Sequence, residues 1–453
     1  METIAAIATG NAKSAIGIIR LSGDEAISIA DRVFRPKSCR KMRDTEAGRL
    51  VYGELLGEDG AVIDLCLCTV SRTPHSYTGE DTAELQCHGS PVVLAEGLRA
   101  VFRAGARQAE AGEFTKRAFL NGKLDLTGAE AVADLIDATS AAAAKNASGQ
   151  LSGAIFTRAE AIYSDLAAMA AHFGAEVDYP DDDIDEFRLE SYTEMLTAAR
   201  VELGRLAATY SRGQYLREGI PTAIVGRPNV GKSSLLNAIL GYDRAIVTAT
   251  AGTTRDTLEE TALLGGVPLR LSDTAGLRET ADEIEREGVL RASRAAERAV
   301  LVFGVFDASE PFSEEDERTL ELMKNAEHAI AVLNKSDLPR SLEDAGIPGA
   351  WRTVSVSAKT GEGLDALENA VSERFSQEDV PQGEILTNAR QADAVLRAEN
   401  ALGSAIDALN DGAMPDIVLS MAEDAMDALA SLMGKNVQDD VIHNIFDRFC
   451  VGK

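Results

Sequence analysis

The most specific chemistry in the sequence sits in Gly226-Arg-Pro-Asn-Val-Gly231-Lys232-Ser233, which fits the spacing G-x-x-x-x-G-K-S. A strand-like run, TAIVG, leads into it, and a helical run, SSLLNAIL, follows. That context gives the spacing its meaning. Gly226 and Gly231 let backbone N–H groups curl around phosphate oxygens, and a helix N-terminus adds partial positive charge. The amine of Lys232 suits the β- and γ-phosphates, and the hydroxyl of Ser233 suits Mg²⁺. Asn229, Val230 and Ser234 complete this predicted phosphate loop.

Three further motifs follow in the order a guanine-nucleotide site requires. Asp273-Thr274-Ala275-Gly276 ends the run LRLSD. There Asp273 would hold Mg²⁺ through water, and the Gly276 N–H would sense the γ-phosphate. Asn334-Lys335-Ser336-Asp337 ends the run AIAVL. A carboxylate accepts several hydrogen bonds, so Asp337 can take the guanine N1–H and 2-amino donors, a pair that adenine lacks. Ser357-Ala358-Lys359 ends VSVS, where a backbone N–H can meet the guanine O6. Together these motifs predict a GTP site and argue against an ATPase.

The loop between the first two motifs contains Thr248, Ala249, Thr250, Ala251, Gly252, Thr253 and Thr254. Thr254 is the candidate to close on Mg²⁺ and γ-phosphate, with Thr253 as its competitor. Leu277 follows the DTAG motif, where many GTPases place a glutamine that orients water. Catalysis must then be completed by another group. Glu285 is one candidate, and a solvated helix charge is the alternative. Asn229 offers a second clue. With the carbonyls and hydroxyls of Thr248 to Thr253 it can hold a monovalent cation that stabilises charge developing on the phosphates. A turn-forming asparagine is the plainer reading.

These loops must meet at the C-terminal ends of parallel strands, where such sheets bind ligands. Strands and helices alternate from about residue 219 to 375, as that requires. Before them, AAIAT, SAIGIIRLSG and AVIDLCLCTV read as strands and PVVLAEGLRAVFRAG as a helix. Thr127-Gly-Ala-Glu130 has capping-box spacing and opens an Ala-rich helical stretch. A second helical stretch, LESYTEMLTAARVELGRLAATYSRG, follows the acidic connection DYPDDDIDEF. The chain is helical again after Pro381. The expected fold is multidomain: an N-terminal α+β domain (1–118), a discontinuous all-α helical domain (119–215 and 381–453), and an inserted α/β P-loop GTPase domain (216–380).

The chain has 453 residues, room for about three domains. No apolar run approaches the roughly 18 residues of a membrane helix, and the start lacks a basic flank and cleavage site. A cytoplasmic location is the expectation. Five cysteines are few and odd in number, which argues against a disulfide framework. A net charge of −28 disfavours non-specific nucleic-acid binding. The densest basic run, RPKSCRKMR (35–43), reads as an RNA-phosphate contact or as a solvated loop. Cys66 and Cys68 are two apart on a strand and face one way, but with Cys87-His88 they fit no usual zinc spacing.

GRPNVGKSSLLNAI, IVTATAGTTRD, DTAGLRETADEIEREG, TGEDTAELQCHG and GEFTKRAFLNGKLDL, with the terminal Cys450-Val-Gly-Lys453, resemble the bacterial MnmE (TrmE) family of tRNA-modifying GTPases along essentially the whole chain. The resemblance implies a homodimer whose N-terminal domain binds a 5-formyl-tetrahydrofolate-like one-carbon donor. It also implies a K⁺-stimulated, Mg²⁺-dependent GTPase with an FAD-dependent partner, MnmG (GidA), in a heterotetramer. That complex installs aminomethyl or carboxymethylaminomethyl groups on C5 of the tRNA wobble uridine (U34). By motif the resemblance assigns K⁺ to Asn229, Thr248, Thr250 and Thr253, Mg²⁺ to Ser233 and Thr254, and catalysis to Glu285 with Asn229 and Thr254. It assigns folate contacts to Arg20, Glu84, Lys123 and Lys453. From spacing alone these four are surface charges. Cys450 is either a reactive thiol or a small packing residue. The rival reading is a ribosome-assembly or signalling GTPase with flanking binding modules, since a GTP site does not fix the pathway.

Overall fold

The structure, a computed structural model, describes all residues except 1, 11, 39, 179–186, 243–259, 272–292, 343–346, 350, 376–380, 382, 437–441, 443–444, 448 and 453. The chain divides into two compact units, one of Met1–Ala133, Gln150–Arg200 and Arg397–Lys453, the other of Asp134–Gly149 and Val201–Leu396. Among the described residues no helix is long and apolar enough to cross a membrane.

The first unit begins with β1 (Ile4–Ile7), β2 (Ile16–Ser22), β3 (Phe34–Pro36), β4 (Val51–Leu56), β5 (Val62–Ser71), β6 (Thr82–His88) and β7 (Arg107–Gln108). They form one sheet in the order β3-β4-β5-β6-β2-β1-β7, antiparallel except for β1 beside β7. Alternation along β2 and β5 puts Ile19, Leu21, Cys66 and Cys68 on the buried face. Cys87 joins them, and burial pushes the Cys68 thiol well above the ordinary range.

The Ala-rich stretch is broken into helices Leu126–Asp137, Ala141–Leu151 and Ala154–Asp178. The first does not use Thr127 as its cap. Asp125 accepts the Gly128 N–H at 2.9 Å and the Thr127 hydroxyl at 2.5 Å, so the helix starts before the predicted capping box. Helix Pro415–Met433 packs along Ala154–Asp178. Beyond it Phe446 is buried with Ala129 and Phe449, against Phe119. Val451 bridges to Ala111, and Gly452 lies at φ 104°, where a Cβ would come within 2.3 Å of the Ile7 carbonyl oxygen. Only glycine fits that approach, so the tail rests on β1 at Gly452.

The second unit carries β8 (Ile220–Val225), β9 (Glu260–Leu264), β10 (Val267–Leu271), β11 (Leu301–Asp307), β12 (His328–Asn334) and β13 (Arg352–Ser355). The sheet order is β13-β12-β11-β8-β10-β9, parallel except for β9 against β10. Every residue of β11 is buried, as expected of a central strand covered on both faces. Its neighbours β8 and β12 end in the two glycine- and asparagine-bearing loops of the nucleotide motifs.

In the first unit a buried ion network joins β7 to helix Glu113–Leu120. Arg107 and Arg117 both bond Glu113, and Arg117 also bonds Glu80. Burial raises the Glu113 carboxyl, but Arg107, the Glu110 N–H and Arg117 together bring it down to about 2. A depressed carboxyl stabilises the fold above its unfolded value of about 4.5 and loses that contribution as pH falls towards 2. Urea unfolding of the full chain, followed by hydrogen exchange in residues 1–120, is expected to show about 2 kcal/mol of acid-dependent loss in that window. Glu113→Gln is expected to flatten that limb and lower stability at pH 7.

Candidate functional site

The phosphate loop forms because its backbone enters conformations that most residues avoid. It passes through Gly226 (φ 157°), Asn229 (φ 62°) and Gly231 (φ 96°) before helix Lys232–Tyr242 begins. Among the described residues only Asn229 and Lys335 have positive φ without being glycine, and both lie in predicted nucleotide motifs. Such strain collects where the surrounding structure enforces it. Lys232 folds back over the loop, donating to the carbonyls of Gly226 at 2.9 Å and Arg227 at 2.8 Å. Burial lowers its pKa. Among the described residues no carboxylate pairs with it, so an arriving anion would meet an unneutralised amine. Val230 is buried beneath the loop, and Ser233 and Ser234 follow in the helix's first turn, half-buried and exposed.

Asn334, at the end of β12 and 2% exposed, connects this loop to the base-side motifs. Its Nδ2–H donates to the Val230 carbonyl at 2.7 Å, and its Oδ1 accepts the Ala358 N–H at 3.0 Å. A Cβ on Gly231 would stand 2.2 Å from Asn334 Nδ2, so the loop closes only around glycine. Asp337 is exposed, and its Oδ1 accepts the Ser357 hydroxyl at 2.7 Å. The Ser357 N–H is spent on Glu362 and that of Ala358 on Asn334, whereas the Lys359 N–H has no partner among the described residues. Lys335 pairs with Asp307, a residue that no sequence motif singled out. Their separation in sequence hid the pair.

Thr248, Ala249, Thr250, Ala251, Gly252, Thr253, Thr254, Asp273, Thr274, Ala275, Gly276, Leu277 and Glu285 lie outside the described residues.

A second set of predicted residues meets in the first unit. Arg20 on β2 and Glu84 on β6 are direct cross-strand partners, with Arg20 Nε 2.8 Å from Glu84 Oε1. The guanidinium lies 5.6 Å from the Tyr77 ring centre and 5.8 Å from that of Phe114, a cation held between two π faces. Its two terminal nitrogens have no partner among the described residues. A fork fixed at Nε and open at its tip suits a planar oxyanion or carbonyl. Lys123 is exposed and donates to the Pro74 carbonyl at 3.0 Å. Cys450 is exposed, and its carbonyl accepts the Gly112 N–H at 3.5 Å. Lys453 lies outside the described residues. The preceding Gly452 rests on Ile7, beside Ala6, which pairs with Arg20 across β1 and β2. Tyr77 and Phe114 escaped sequence reasoning because no local spacing links them to Arg20.

Comparison with known proteins extends over both units. The MnmE helical domain family matches residues 126–450, and the family described as GTP-binding protein TrmE N-terminus matches residues 3–123. The tRNA modification GTPase MnmE of Symbiobacterium thermophilum is 43% identical over 460 residues, covering 100% of this chain and 99% of that relative. The proteins of the same description from Acetivibrio thermocellus and Geobacillus kaustophilus are 40% and 39% identical, with the same coverage.

The close approach of Gly231 to Asn334 yields a direct test. Gly231→Ala strains a φ of 96° and drives a methyl into the Asn334 amide. Fluorescent GDP titration is expected to show a loss of at least about 100-fold, near 3 kcal/mol. Circular dichroism should remain that of a folded chain.

Proposed function

The chain belongs to the MnmE (TrmE) family of tRNA modification GTPases, and on that premise we propose that its GTP hydrolysis drives modification of the tRNA wobble uridine (U34) at C5. The observation that carries the nucleotide half is the strained loop of Asn229 and Gly231 under the Lys232 amine, tied through Asn334 to the turn of Ser357 and Ala358. In this reading the N–H groups from Asn229 to Ser234 grip the phosphates, and Lys232 leaves its two carbonyls to meet them. Asp337 takes the guanine N1–H and 2-amino group, and the turn of Ser357 to Lys359 faces O6.

Ser233 and Thr254 would hold Mg²⁺, and Asn229 with Thr248, Thr250 and Thr253 would hold K⁺. These ions supply positive charge against the phosphates during transfer. The described part of this set fits, since Asn229 is exposed at the rim of the loop and Ser233 lies in the first turn of the helix behind it. Thr254 would close on Mg²⁺ and the γ-phosphate, Asp273 would hold Mg²⁺ through water, and the Gly276 N–H would sense the γ-phosphate. Glu285 orients water in place of the glutamine that Leu277 replaces.

In the N-terminal domain, Arg20, Glu84, Lys123 and Lys453 bind 5-formyl-tetrahydrofolate or a related folate, which supplies the one-carbon unit. Arg20 offers its open fork to that ligand, and Glu84 holds the fork in place while keeping acceptor capacity of its own. Cys450 stands exposed just before the Val451 bridge. The chain works in the cytoplasm as a homodimer, with the FAD-dependent partner MnmG (GidA) in a heterotetramer. The domains run 1–118, 119–215 with 381–453, and 216–380.

Two measurements test the halves separately. GTP hydrolysis in K⁺ should exceed that in Na⁺ at equal ionic strength by at least about tenfold, a difference near 1.4 kcal/mol in barrier. Asn229→Ala should abolish the difference, and equal rates in the wild type would remove the cation mechanism. Calorimetric titration with 5-formyl-tetrahydrofolate should show binding that Arg20→Ala weakens at least about tenfold through loss of charge-assisted bonds. A wild-type chain that binds no formyl-folate would return the reading to a GTPase with some other N-terminal ligand.

A further inference from the structure

We infer that Asp307 is a positioning residue for guanine recognition: its buried carboxylate holds Lys335 in the left-handed conformation and thereby sets the loop that carries Asp337. This rests on the reading of Asp337 as the guanine acceptor.

Asp307 ends β11, is 3% exposed, and lies opposite Asn334 in the β11–β12 register. Its Oδ2 is 2.5 Å from Lys335 Nζ. Its Oδ1 accepts the Ser309 N–H at 2.9 Å and the Ser309 hydroxyl at 2.6 Å. Burial alone would raise the carboxyl, but Lys335 and the Ser309 donors outweigh it and leave it lowered, so it is charged at neutral pH.

Lys335 needs such a partner. At φ 65° its Cβ crowds its own backbone, a cost of about 1–2 kcal/mol for a residue that is neither Gly, Asn nor Asp. The chain reaches Lys335 straight from the ladder, with the Ala308 N–H bonded to the Asn334 carbonyl at 2.8 Å. It leaves through a turn in which the Leu338 N–H reaches the Lys335 carbonyl at 3.0 Å and the Ser336 N–H reaches Val356 at 3.2 Å. The reversal of direction occurs at the lysine itself, two residues before Asp337. Pinning the lysine side chain to β11 therefore fixes the direction in which Asp337 points. A general structural ion pair would affect folding without altering base preference. This pair acts on the backbone that presents the base reader.

Inosine nucleotides lack the 2-amino group and so lose one of the two bonds to Asp337. The ratio of GDP to IDP affinity consequently reports where Asp337 stands, independently of phosphate grip and of global stability. Titration of the full chain with fluorescent GDP and IDP is the test. The wild type should prefer GDP about tenfold, the equivalent of one charge-assisted hydrogen bond. Asp307→Asn keeps the shape and removes the charge. It should weaken GDP about tenfold and compress the preference to about threefold or less. Lys335→Met keeps the apolar stem but leaves the Asp307 carboxylate without its cation, and should do the same. The double variant should be no worse than either single one, because the two residues act as a unit. Asp307→Asn and Lys335→Met that leave the preference intact, or weaken GDP and IDP equally, would overturn the inference. Asp337→Asn separates the premises: if it too leaves the preference unchanged, the assignment of the guanine acceptor is at fault and both readings fall.

Discussion

The carboxamide of Asn334 is the single contact on which the geometry of the nucleotide site depends. It donates into the phosphate loop at Val230 and accepts from the base-side turn at Ala358. A carboxamide presents one donor face and one acceptor face, so no carboxylate or aliphatic residue of similar size can make both bonds. Its own place is set by the sheet. β12 lies beside the fully buried β11, and its last five residues are buried as well. Packing energy in the core is thus converted into the position of one amide group, and that group fixes two loops that are far apart in sequence. The absence of a Cβ at Gly231 belongs to the same contact, since a methyl there would occupy the amide's position.

The two candidate sites achieve preorganisation by opposite means. In the second unit the work falls to the backbone, with positive φ at Asn229, Gly231 and Lys335 directing N–H groups and turns. In the first unit it falls to side chains. Arg20 is fixed by a cross-strand carboxylate at one nitrogen and by two aromatic faces, which leaves its fork open at the tip. Nearby, Arg117 is spent within the fold on Glu80, Glu113 and the Glu2 carbonyl. Two arginines in one domain thereby take different roles. Arg117 is buried against the carboxylates of Glu80 and Glu113, and removing the arginine would leave them stranded at a cost of about 3–5 kcal/mol. Arg20, half-buried, keeps terminal donors that no described residue satisfies.

The parts legible in the sequence were those in which the chemistry is contiguous. The phosphate loop and the Asn334-to-Asp337 motif each occupy a few successive residues between a strand and a turn, so type and spacing suffice. Features assembled by pairing distant segments were not legible. Nothing near Arg20 announces Tyr77 or Phe114, and nothing near Lys335 announces Asp307, because those contacts exist only once β2 meets β6 and β11 meets β12. Local competition misled in a different way. Thr127 and Glu130 have the capping spacing, yet Asp125 lies two residues upstream and is the stronger acceptor, so it takes the Gly128 N–H. The Ala-rich stretch is likewise broken where Ser140 caps a new helix through the Ala143 N–H, and again at Gly153 (φ 85°). Helical periodicity continues through both breaks, which is why spacing alone merged three helices into one.

The seating of the C-terminus on β1 has a thermodynamic consequence. Buried Phe446 anchors the segment, and truncation of such a ring typically costs about 3–5 kcal/mol. Beyond it the tail is held by the Ala111–Val451 bridge and the close fit of Gly452, which bury little further surface. The last residues are therefore weakly held compared with the strand they rest on. Because Gly452 rests on Ile7, next in sequence to Ala6, the β1 partner of Arg20, a ligand that touches both the open guanidinium fork and the tail would tighten the tail as it binds. By reciprocity, the seated tail must tighten the ligand to the same degree. Arg20 and the tail, although drawn from distant parts of the sequence, would then be coupled through such a ligand.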